Sequence, residues 1–163
     1  MPDIQTGYHP ALIGEIAASH ARYYTENWGF GLPFEAKVAE ECAAFMARMT
    51  ARDLVLSAWA GNAFLGSLII DTSDPALASR QTHLRWFIVA EPGRGLGRQF
   101  MQRAMDFVDQ SQSSCYLTTF RGLDPARRLY ESFGFVLTEE AEEATWGTTV
   151  NEQRFERAEV QAI

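Results

Sequence analysis

The chain has 163 residues, 47% of them apolar, which suits one domain over residues 1–163 with a sizeable hydrophobic core. Its formal net charge of −7 argues against a nucleic-acid partner, which requires a basic surface, and favours a cationic partner. Because no apolar run approaches the ~20 residues that cross a bilayer, and the first residues lack the basic start and apolar core of a signal peptide, we expect a cytoplasmic protein without a membrane partner.

Two amphipathic helices are predicted near the N-terminus, after a short edge strand or loose arm over residues 1–9. Proline suits the first turn of a helix, and apolar residues at three- and four-residue spacing follow both Pro10 and Pro33. The stretch 26–31 is expected to interrupt this pattern. The two apolar stripes consist of Leu12, Ile13, Ile16, His20 and Tyr23 or Tyr24, and of Phe34, Val38, Cys42, Phe45 and Met49.

A hairpin and a central strand are predicted next. Two apolar runs, Leu54–Ala60 and 64–70, flank Gly61 and Asn62, which favour a two-residue turn between antiparallel strands. A polar stretch with Ser, Asp and Pro then predicts a surface loop up to Arg80. The run 84–89 is bulky and apolar on both faces, as in a strand that is covered on both sides.

A helix and a further strand follow this central strand. Apolar residues at helical spacing predict that the helix begins near Gly97. A strand at 115–120 comes after it, and this strand, helix, strand order predicts parallel pairing with 84–89. Cys42 and Cys115 have no metal or redox spacing, so both are expected to be buried apolar residues, and no metal site is predicted.

The last third of the chain predicts one more helix and a closing strand pair. Asp124 is expected to be the N-cap of this helix, and Gly134 is expected to end it. The closing strands are predicted at 135–137 and 148–155. The predicted fold is therefore α/β (α+β), a mixed and mostly antiparallel sheet with a central parallel strand pair, flanked by helices.

A glycine-rich turn over residues 90–99 joins the central strand to its helix. The first amides of a helix lack intrahelical acceptors and carry the positive end of the dipole, and glycines let a bulky anion approach. Arg94 and Arg98 add positive charge. The turn therefore predicts a diphosphate site, and an ordinary strand-to-helix connection is the open alternative.

Two better-known phosphate loops do not fit this turn. A P-loop has Lys and then Ser or Thr after its last glycine, whereas Gly97 is followed by Arg98 and Gln99. A dinucleotide fingerprint fits Gly93 and Gly95, but Arg98 occupies the position of its third glycine.

A second motif, Asp-Pro-Ala-Arg-Arg-Leu-Tyr-Glu-Ser-Phe-Gly-Phe, occupies residues 124–135. It is similar to the segment Ala-x-x-Leu-Tyr-x-x-x-Gly-Phe of the GCN5-related N-acetyltransferases (GNAT family). That family also has a strand ending in Val, a loop Arg/Gln-x-x-Gly-x-Gly/Ala and an amphipathic helix, which the turn after Val89 resembles. The resemblance covers about residues 50 to 138 and implies a GNAT-like fold.

The family loop aligns with this chain in two ways. Counting back from the helix, Gly95 and Gly97 take the glycine positions, and Pro92 falls where the family has Arg or Gln. Counting forward from Val89, Arg94 takes that position and Gln99 takes the position of a small residue. The buried periodicity of the helix favours the first register.

The resemblance implies acetyl-CoA as the cofactor and Tyr130 as the catalytic acid. A phenol with a pKa near 10 protonates a thiolate with a pKa near 8.5 only at a cost of roughly 2 kcal/mol, so we expect a hydrogen bond more than a full proton transfer. Leu123 stands where the family has an Asn, and Asp124 is a candidate to replace that contact. The predicted cofactor-binding residues are Ile88, Val89, Ala90, Gly93, Arg94, Gly95, Leu96, Gly97, Arg98, Gln99 and Asp124.

The candidate substrate residues are Tyr24, Trp28, His83 and Arg85. Aromatic walls suit an amine, and Arg85 could bind a carboxylate on the acceptor, although packing in the core and ion pairing within the sheet are the favoured explanations of these residues. A lysine-like amine must also lose a proton, at a cost of roughly 4 to 5 kcal/mol. The weak candidates for its base are His83, Glu26, Glu40, Glu41 and Glu91.

The predicted function is that of an acetyl-CoA-dependent N-acetyltransferase that acts directly on a primary amine of a small molecule or peptide. The alternatives are a catalytically degenerate acyl-CoA-binding sensor or interaction module and a nucleotide-binding domain. Tyr23, Tyr24 and residues 152–155 resemble a bacterial subgroup that is often fused to MarR-type regulators, a domain not seen in this sequence. Since dimers are common in the family, a homodimer is an option.

Overall fold

The structure, a computed structural model, describes residues 2–161, so Met1 of the predicted N-terminal arm lies outside it. In chain order the elements are β1 Asp3–Thr6, α1 Leu12–Trp28, α2 Leu32–Arg48, β2 Leu54–Ala60, β3 Ala63–Asp71, β4 Gln81–Val89, α3 Leu96–Gln110, β5 Ser114–Phe120, α4 Asp124–Ser132, β6 Val136–Glu143 and β7 Val150–Arg157. None of the helices within residues 2–161 has the length and apolar character to cross a membrane.

The strands form one sheet in the order β1-β2-β3-β4-β5-β7-β6. Strands β4 and β5 are parallel, and the other neighbouring pairs are antiparallel. The predicted fold class, a mixed sheet with a central parallel pair between helices, is therefore confirmed. The hairpin at Gly61 and Asn62 is present as well, with Ala60 paired to Ala63.

The sheet separates two hydrophobic layers. Helices α1 and α2 pack on one face against Val55, Trp59 and Ile69, and helices α3 and α4 pack on the other face with residues such as Leu54, Leu56 and Leu68. Because side chains alternate along a strand, β2 supplies apolar residues to both layers. Cys42 and Cys115 are buried as free thiols, one in each layer, as predicted.

Several predicted boundaries are corrected. Helix α1 continues through Glu26 to Trp28 and ends at Gly29, whose φ of 70° is a conformation that glycine adopts without strain. Strand β4 begins at Gln81, because its first residues pair with β5. Strand β6 is longer than predicted, because its pairing with β7 extends to Glu143, and β7 lies two residues later than predicted, at Val150–Arg157.

The predicted N-cap of α4 is wrong. Leu123 occupies the N-cap position without a side-chain hydrogen bond, and Asp124 is the first residue of the helix. A carboxylate in the first helical turn still favours the helix through the dipole, so Asp124 stabilises the same end by charge rather than by capping.

Strand β4 carries an irregularity that shapes the functional region. Ile69 pairs with Arg85 and Ser67 with Ile88, so β4 has one more residue than β3 in this interval. Trp86 lies in this bulge with a φ of 48°, and its carbonyl accepts a hydrogen bond of 2.7 Å from the Ser67 hydroxyl. A bulge re-aims the side chains that follow it.

Candidate functional site

A gap opens in the sheet between β4 and β5. The two strands pair only through Gln81, Thr82 and His83, so the rest of β4 has no neighbouring strand on that side among the described residues. The amide of Ala90 donates to the Leu65 carbonyl at 2.8 Å. Because backbone groups point to alternate sides along a strand, the N–H and C=O of Val89 face the gap, while those of Ile88 and Ala90 face β3.

The gap continues into a groove of about 410 Å³, here called the β4–β5 groove. Its lining is mostly apolar and comes from α1, β4, the glycine turn, α3 and α4. Of the predicted cofactor residues, Ile88, Val89, Gly93, Gly95, Leu96 and Gly97 line it. Of the residues that the sequence did not single out as cofactor contacts, Phe87, Pro92, Thr119, Leu123, Pro125, Ala126 and Leu129 also line it.

The N-terminus of α3 opens onto this groove. Gly95 is the N-cap with a φ of 72°, and the first intrahelical bond is donated by Gln99 to the Gly95 carbonyl at 3.1 Å. Within residues 2–161, the amides of Leu96, Gly97 and Arg98 have no hydrogen-bond acceptor. Three N–H groups at the start of α3 are therefore free to bind an anion.

Gly97 keeps the groove open at this end. A Cβ added to it would lie 3.4 Å from the Phe87 ring, 3.5 Å from Leu129 Cδ2 and 3.8 Å from Val89 Cγ2. These are ordinary contact distances, so an added methyl group would fit between the side chains and occupy part of the groove.

The charged residues of the loop are more exposed. Arg94 forms an ion pair of 3.2 Å with Glu91, and both side chains are at least 60% exposed. The guanidinium of Arg98 lies 5.5 Å from the Phe133 ring centroid. Asp124 is exposed on the first turn of α4. These side chains are exposed, and cofactor roles for Arg94, Arg98, Gln99 and Asp124 therefore stay predictions.

A second and smaller cavity of about 160 Å³ adjoins the groove, here called the small cavity. It lies between α1, α2 and the β4 bulge, and both Glu41 and Arg85 line it. Tyr24, Phe87, Thr119 and Tyr130 line the small cavity and the β4–β5 groove. The two spaces therefore meet at these four side chains.

Two phenols converge on this junction from opposite faces of the sheet. Tyr130 belongs to the α4 layer and is 6% exposed, and Tyr24 belongs to the α1 layer. Burial raises the pKa of Tyr130 well above its usual value, and burial together with nearby Tyr130 does the same to the pKa of Tyr24. Both groups therefore keep their protons at neutral pH and can donate hydrogen bonds.

The small cavity also contains an anchored arginine. Arg85 Nη2 lies 2.8 Å from Glu41 Oε2 and Nη1 lies 3.3 Å from Asp71 Oδ2. Asp71 is fully buried and is held by two hydrogen bonds of 2.6 and 2.9 Å from Arg48. The Arg85 guanidinium also lies 4.1 Å from the Trp86 ring centroid. Ion pairing, which the sequence left as an alternative, is thus present, and the side chain still reaches the cavity.

Two histidines line the small cavity without positive charge. Burial lowers the pKa of His20 to about 4, and its Nδ1 donates to the Ile16 carbonyl at 2.8 Å. Burial and the neighbouring Arg85 lower the pKa of His83 to about 3, and its ring stacks on Tyr116 at 4.1 Å. Such weak bases are poor acceptors for the proton of an ammonium group.

The remaining candidates lie apart from both spaces or are engaged elsewhere. Trp28 packs against Phe30 and Phe120 and does not belong to either lining. Glu41 is the carboxylate in the small cavity, but Lys37 at 2.9 Å and Arg85 occupy its oxygens. Glu26 and Glu40 are exposed. Within residues 2–161, no group of His, Cys, Asp and Glu side chains is arranged to hold a metal ion.

The sequence did not single out Phe87, Thr119 and His20 as site residues. Phe87 and Thr119 lie inside strand patterns that indicate only burial, and His20 continues the apolar stripe of α1. Only their positions in the chain could have indicated a role in the site. Phe87 precedes the predicted cofactor residues, and Thr119 lies near the end of the parallel partner strand.

The model of the acetyltransferase (GNAT) family matches residues 14–135, which is most of the chain, and the chain therefore belongs to the GNAT family. The cofactor of this family is acetyl-CoA. No curated protein sequence matches the chain significantly.

Solved structures share the fold at low sequence identity. The ribosomal-protein-S18-alanine N-acetyltransferase of Escherichia coli superimposes with a TM-score of 0.69 at 15% identity over 100% of this chain and 97% of that chain. YncA of Salmonella typhimurium, solved with its cofactor acetyl-CoA, gives 0.71 at 15% identity over 98% and 96%. An acyl-CoA N-acyltransferase of Pseudomonas aeruginosa gives 0.68 at 18% identity over 96% and 99%.

Proposed function

We propose that this protein is an acetyl-CoA-dependent N-acetyltransferase that transfers the acetyl group directly to a primary amine of a small molecule or peptide. The observation that carries this proposal is the meeting of two spaces at Tyr130. One space has free backbone donors for a cofactor, and the other is a small polar and aromatic cavity. An acceptor amine in the small cavity would therefore lie next to the end of the groove at Tyr130, where the thioester would be placed.

The residues present fit acetyl-CoA. The free amides of Leu96, Gly97 and Arg98 would hold the diphosphate at the positive end of α3, and the exposed backbone of Val89 would pair with the pantetheine amides. Bound acetyl-CoA would supply the thioester, at whose carbonyl carbon the new C–N bond forms as the C–S bond breaks, leaving CoA thiol and an amide.

Tyr130 is the side chain that we assign to the leaving sulfur. Its raised pKa keeps the phenol protonated, and its place in the lining of both spaces supports a role as donor to the sulfur as negative charge develops there. Phe87 and Phe135 pack around its ring with centroid distances of 6.0 and 6.1 Å. The surrounding rings hold the phenol in one position, which a transition-state contact requires.

One observation favours the alternative of an acyl-CoA-binding sensor. Leu123 lies at the groove, where the family has an Asn, so this chain lacks that side-chain contact to the cofactor. Weaker cofactor binding without turnover would follow if the loss also misplaced the thioester.

Release of CoA thiol from acetyl-CoA over a panel of primary amines tests the proposal. We expect release with at least one amine and a kcat about 10 to 100 times lower for Tyr130→Phe, because one charge-assisted hydrogen bond in the transition state is lost. CoA binding by calorimetry should change little. Tyr8→Phe, at a position 58% exposed and outside both linings, is the matched control and should behave as the wild type.

A sensor gives the opposite pattern. It binds CoA, releases no thiol with any amine, and makes the Tyr130→Phe and wild-type proteins indistinguishable. Absence of CoA binding would overturn both functions.

A further inference from the structure

The small cavity contains two charged side chains of opposite sign, Arg85 and Glu41, together with the neutral His20 and His83. A ligand that carries only a positive charge is repelled by the guanidinium of Arg85, and a ligand that carries only a negative charge is repelled by the carboxylate of Glu41. An acceptor that carries both signs can satisfy both groups. The charge arrangement therefore discriminates between classes of amine.

The guanidinium of Arg85 is held in place by contacts other than its ion pair with Glu41. Asp71, which is fully buried, accepts from Arg85 Nη1 and also from Arg48, while Trp86 covers one face of the guanidinium. Nη2 is left to Glu41. A guanidinium fixed in this way presents a donor of defined direction, which costs little side-chain entropy when a ligand binds.

Glu41 is the replaceable partner of this pair. Its side chain is 38% exposed, against 13% for Arg85, and it already has a second cation, Lys37, at 2.9 Å. The connected network contains three cations, Arg48, Arg85 and Lys37, and two carboxylates, Asp71 and Glu41. Two further aspartates lie near Arg48, so an incoming carboxylate gains Arg85 by taking the place of Glu41, which keeps its ion pair with Lys37.

The volume of the cavity favours a small acceptor. About 160 Å³ resembles the space that holds a benzene-sized molecule in a protein interior. An acceptor with a short distance between its amine and its anionic group fits this space.

On the basis of the proposed function, we infer that the acceptor is a compact amino carboxylate. Its carboxylate binds Arg85 Nη2 in place of Glu41, Glu41 stays with Lys37, and its amine points to the junction at Tyr130. The contact is a charge-assisted hydrogen bond, which is stronger than one between neutral groups.

Matched sets of acceptors test this inference. Each set contains an amino acid, its amide and the decarboxylated amine with the same side chain: alanine, alaninamide and ethylamine, and phenylalanine, phenylalaninamide and phenethylamine. Thiol release should give a kcat/KM at least about tenfold higher for the amino acid than for its amide in one set or both, as expected when a charge-assisted pair is lost.

Variants of Arg85 and Glu41 identify the contact. In Arg85→Gln the ratio of kcat/KM for the amino acid to kcat/KM for its amide should fall to about one. In Arg85→Lys this ratio should lie between those of Arg85→Gln and the wild type, because the charge remains without the planar guanidinium. Glu41→Gln should raise the ratio by freeing Arg85. Since each ratio is measured within one protein, a loss of folded material cancels. Arg103→Gln removes the same charge from an exposed position outside both cavities and should keep the wild-type ratio.

Failure of the inference is distinct from failure of the proposed function. Equal turnover of acids, amides and amines, or an equal loss of all three in Arg85→Gln, overturns the inference while transfer stands. If no acceptor releases thiol, the proposed transfer function fails, and the carboxylate site is then tested by the binding of the same acceptor sets to the CoA-bound protein. Tighter binding of the amino acids that is lost in Arg85→Gln supports the site. Any other binding pattern overturns it.

Discussion

Single side chains in this molecule owe their charge state to their place in the fold. His20 lies in the stripe of α1 that faces the sheet, where burial opposes protonation and lowers its pKa to about 4. Its Nδ1 is tied to the Ile16 carbonyl, which fixes the neutral tautomer with the proton on Nδ1. A residue that the sequence presents as part of an amphipathic stripe thus becomes a neutral wall of the small cavity.

The depressed pKa of His20 predicts a stability change with pH. Between the unfolded value of about 6.5 and the folded value of about 4, the unfolded chain binds more protons, so stability falls as the pH decreases. The slope from this residue approaches about 1 kcal/mol per pH unit. Urea unfolding of the wild type and of His20→Gln at pH 7, 6 and 5 measures it. The variant should lose less stability over this interval, and parallel pH profiles of the two proteins would contradict a contribution from the buried imidazole.

At the scale of elements, the site is produced by two departures from regular pairing in β4. The bulge at Trp86 places consecutive side chains, Arg85, Trp86 and Phe87, on the small cavity. The early end of pairing with β5 then leaves Val89 with unpaired backbone groups beside the N-terminus of α3. One strand therefore contributes to both spaces.

Gly97→Ala should have opposite effects on the stability of helix α3 and on the affinity for the cofactor. Alanine favours the helix by up to about 1 kcal/mol, whereas its methyl group occupies the groove between Phe87 and Leu129 and should weaken CoA binding roughly tenfold. Thermal unfolding and calorimetry with CoA measure the two effects. Gly14→Ala, in the first turn of α1 with no neighbour within 4 Å of its added Cβ, is the control and should gain stability without losing affinity. Unchanged affinity in Gly97→Ala would place the cofactor elsewhere.

At the scale of the whole molecule, the groove divides the sheet into two parts. Strands β1 to β4 lie on one side of the gap, and β5, β7 and β6 lie on the other, joined by the short parallel pairing at Gln81 to His83. A ligand in the gap contacts both parts and adds interactions that the unliganded sheet lacks.

CoA should therefore raise the melting temperature. At a ligand concentration 100 times the Kd, the stabilisation is about 2.7 kcal/mol, which corresponds to roughly 5 to 10 °C for a protein of this size. Differential scanning fluorimetry with CoA, acetyl-CoA and ATP measures it. ATP, which lacks the pantetheine arm, should give a clearly smaller shift, and an equal or larger shift with ATP would favour a nucleotide-binding domain.

The sequence by itself determined the features that depend on near neighbours in the chain. The hairpin at Gly61 and Asn62, the helix after the glycine turn and the Leu129, Tyr130 motif are all local patterns, and the structure has each of them where the residues predict it. Their physical basis is short-range: turn geometry, helical periodicity and the free amides of a helix terminus.

Only the tertiary structure decided which distant groups meet. The partners of Arg85 come from α2 and from the end of β3, the wall of the small cavity comes from α1, and the backbone of Val89 is free only because β5 diverges. Local chemistry misassigned Asp124 as a cap, since the path of the chain into α4 placed Leu123 there. Such features depend on how elements far apart in sequence pack, and no pattern of adjacent residues encodes that approach.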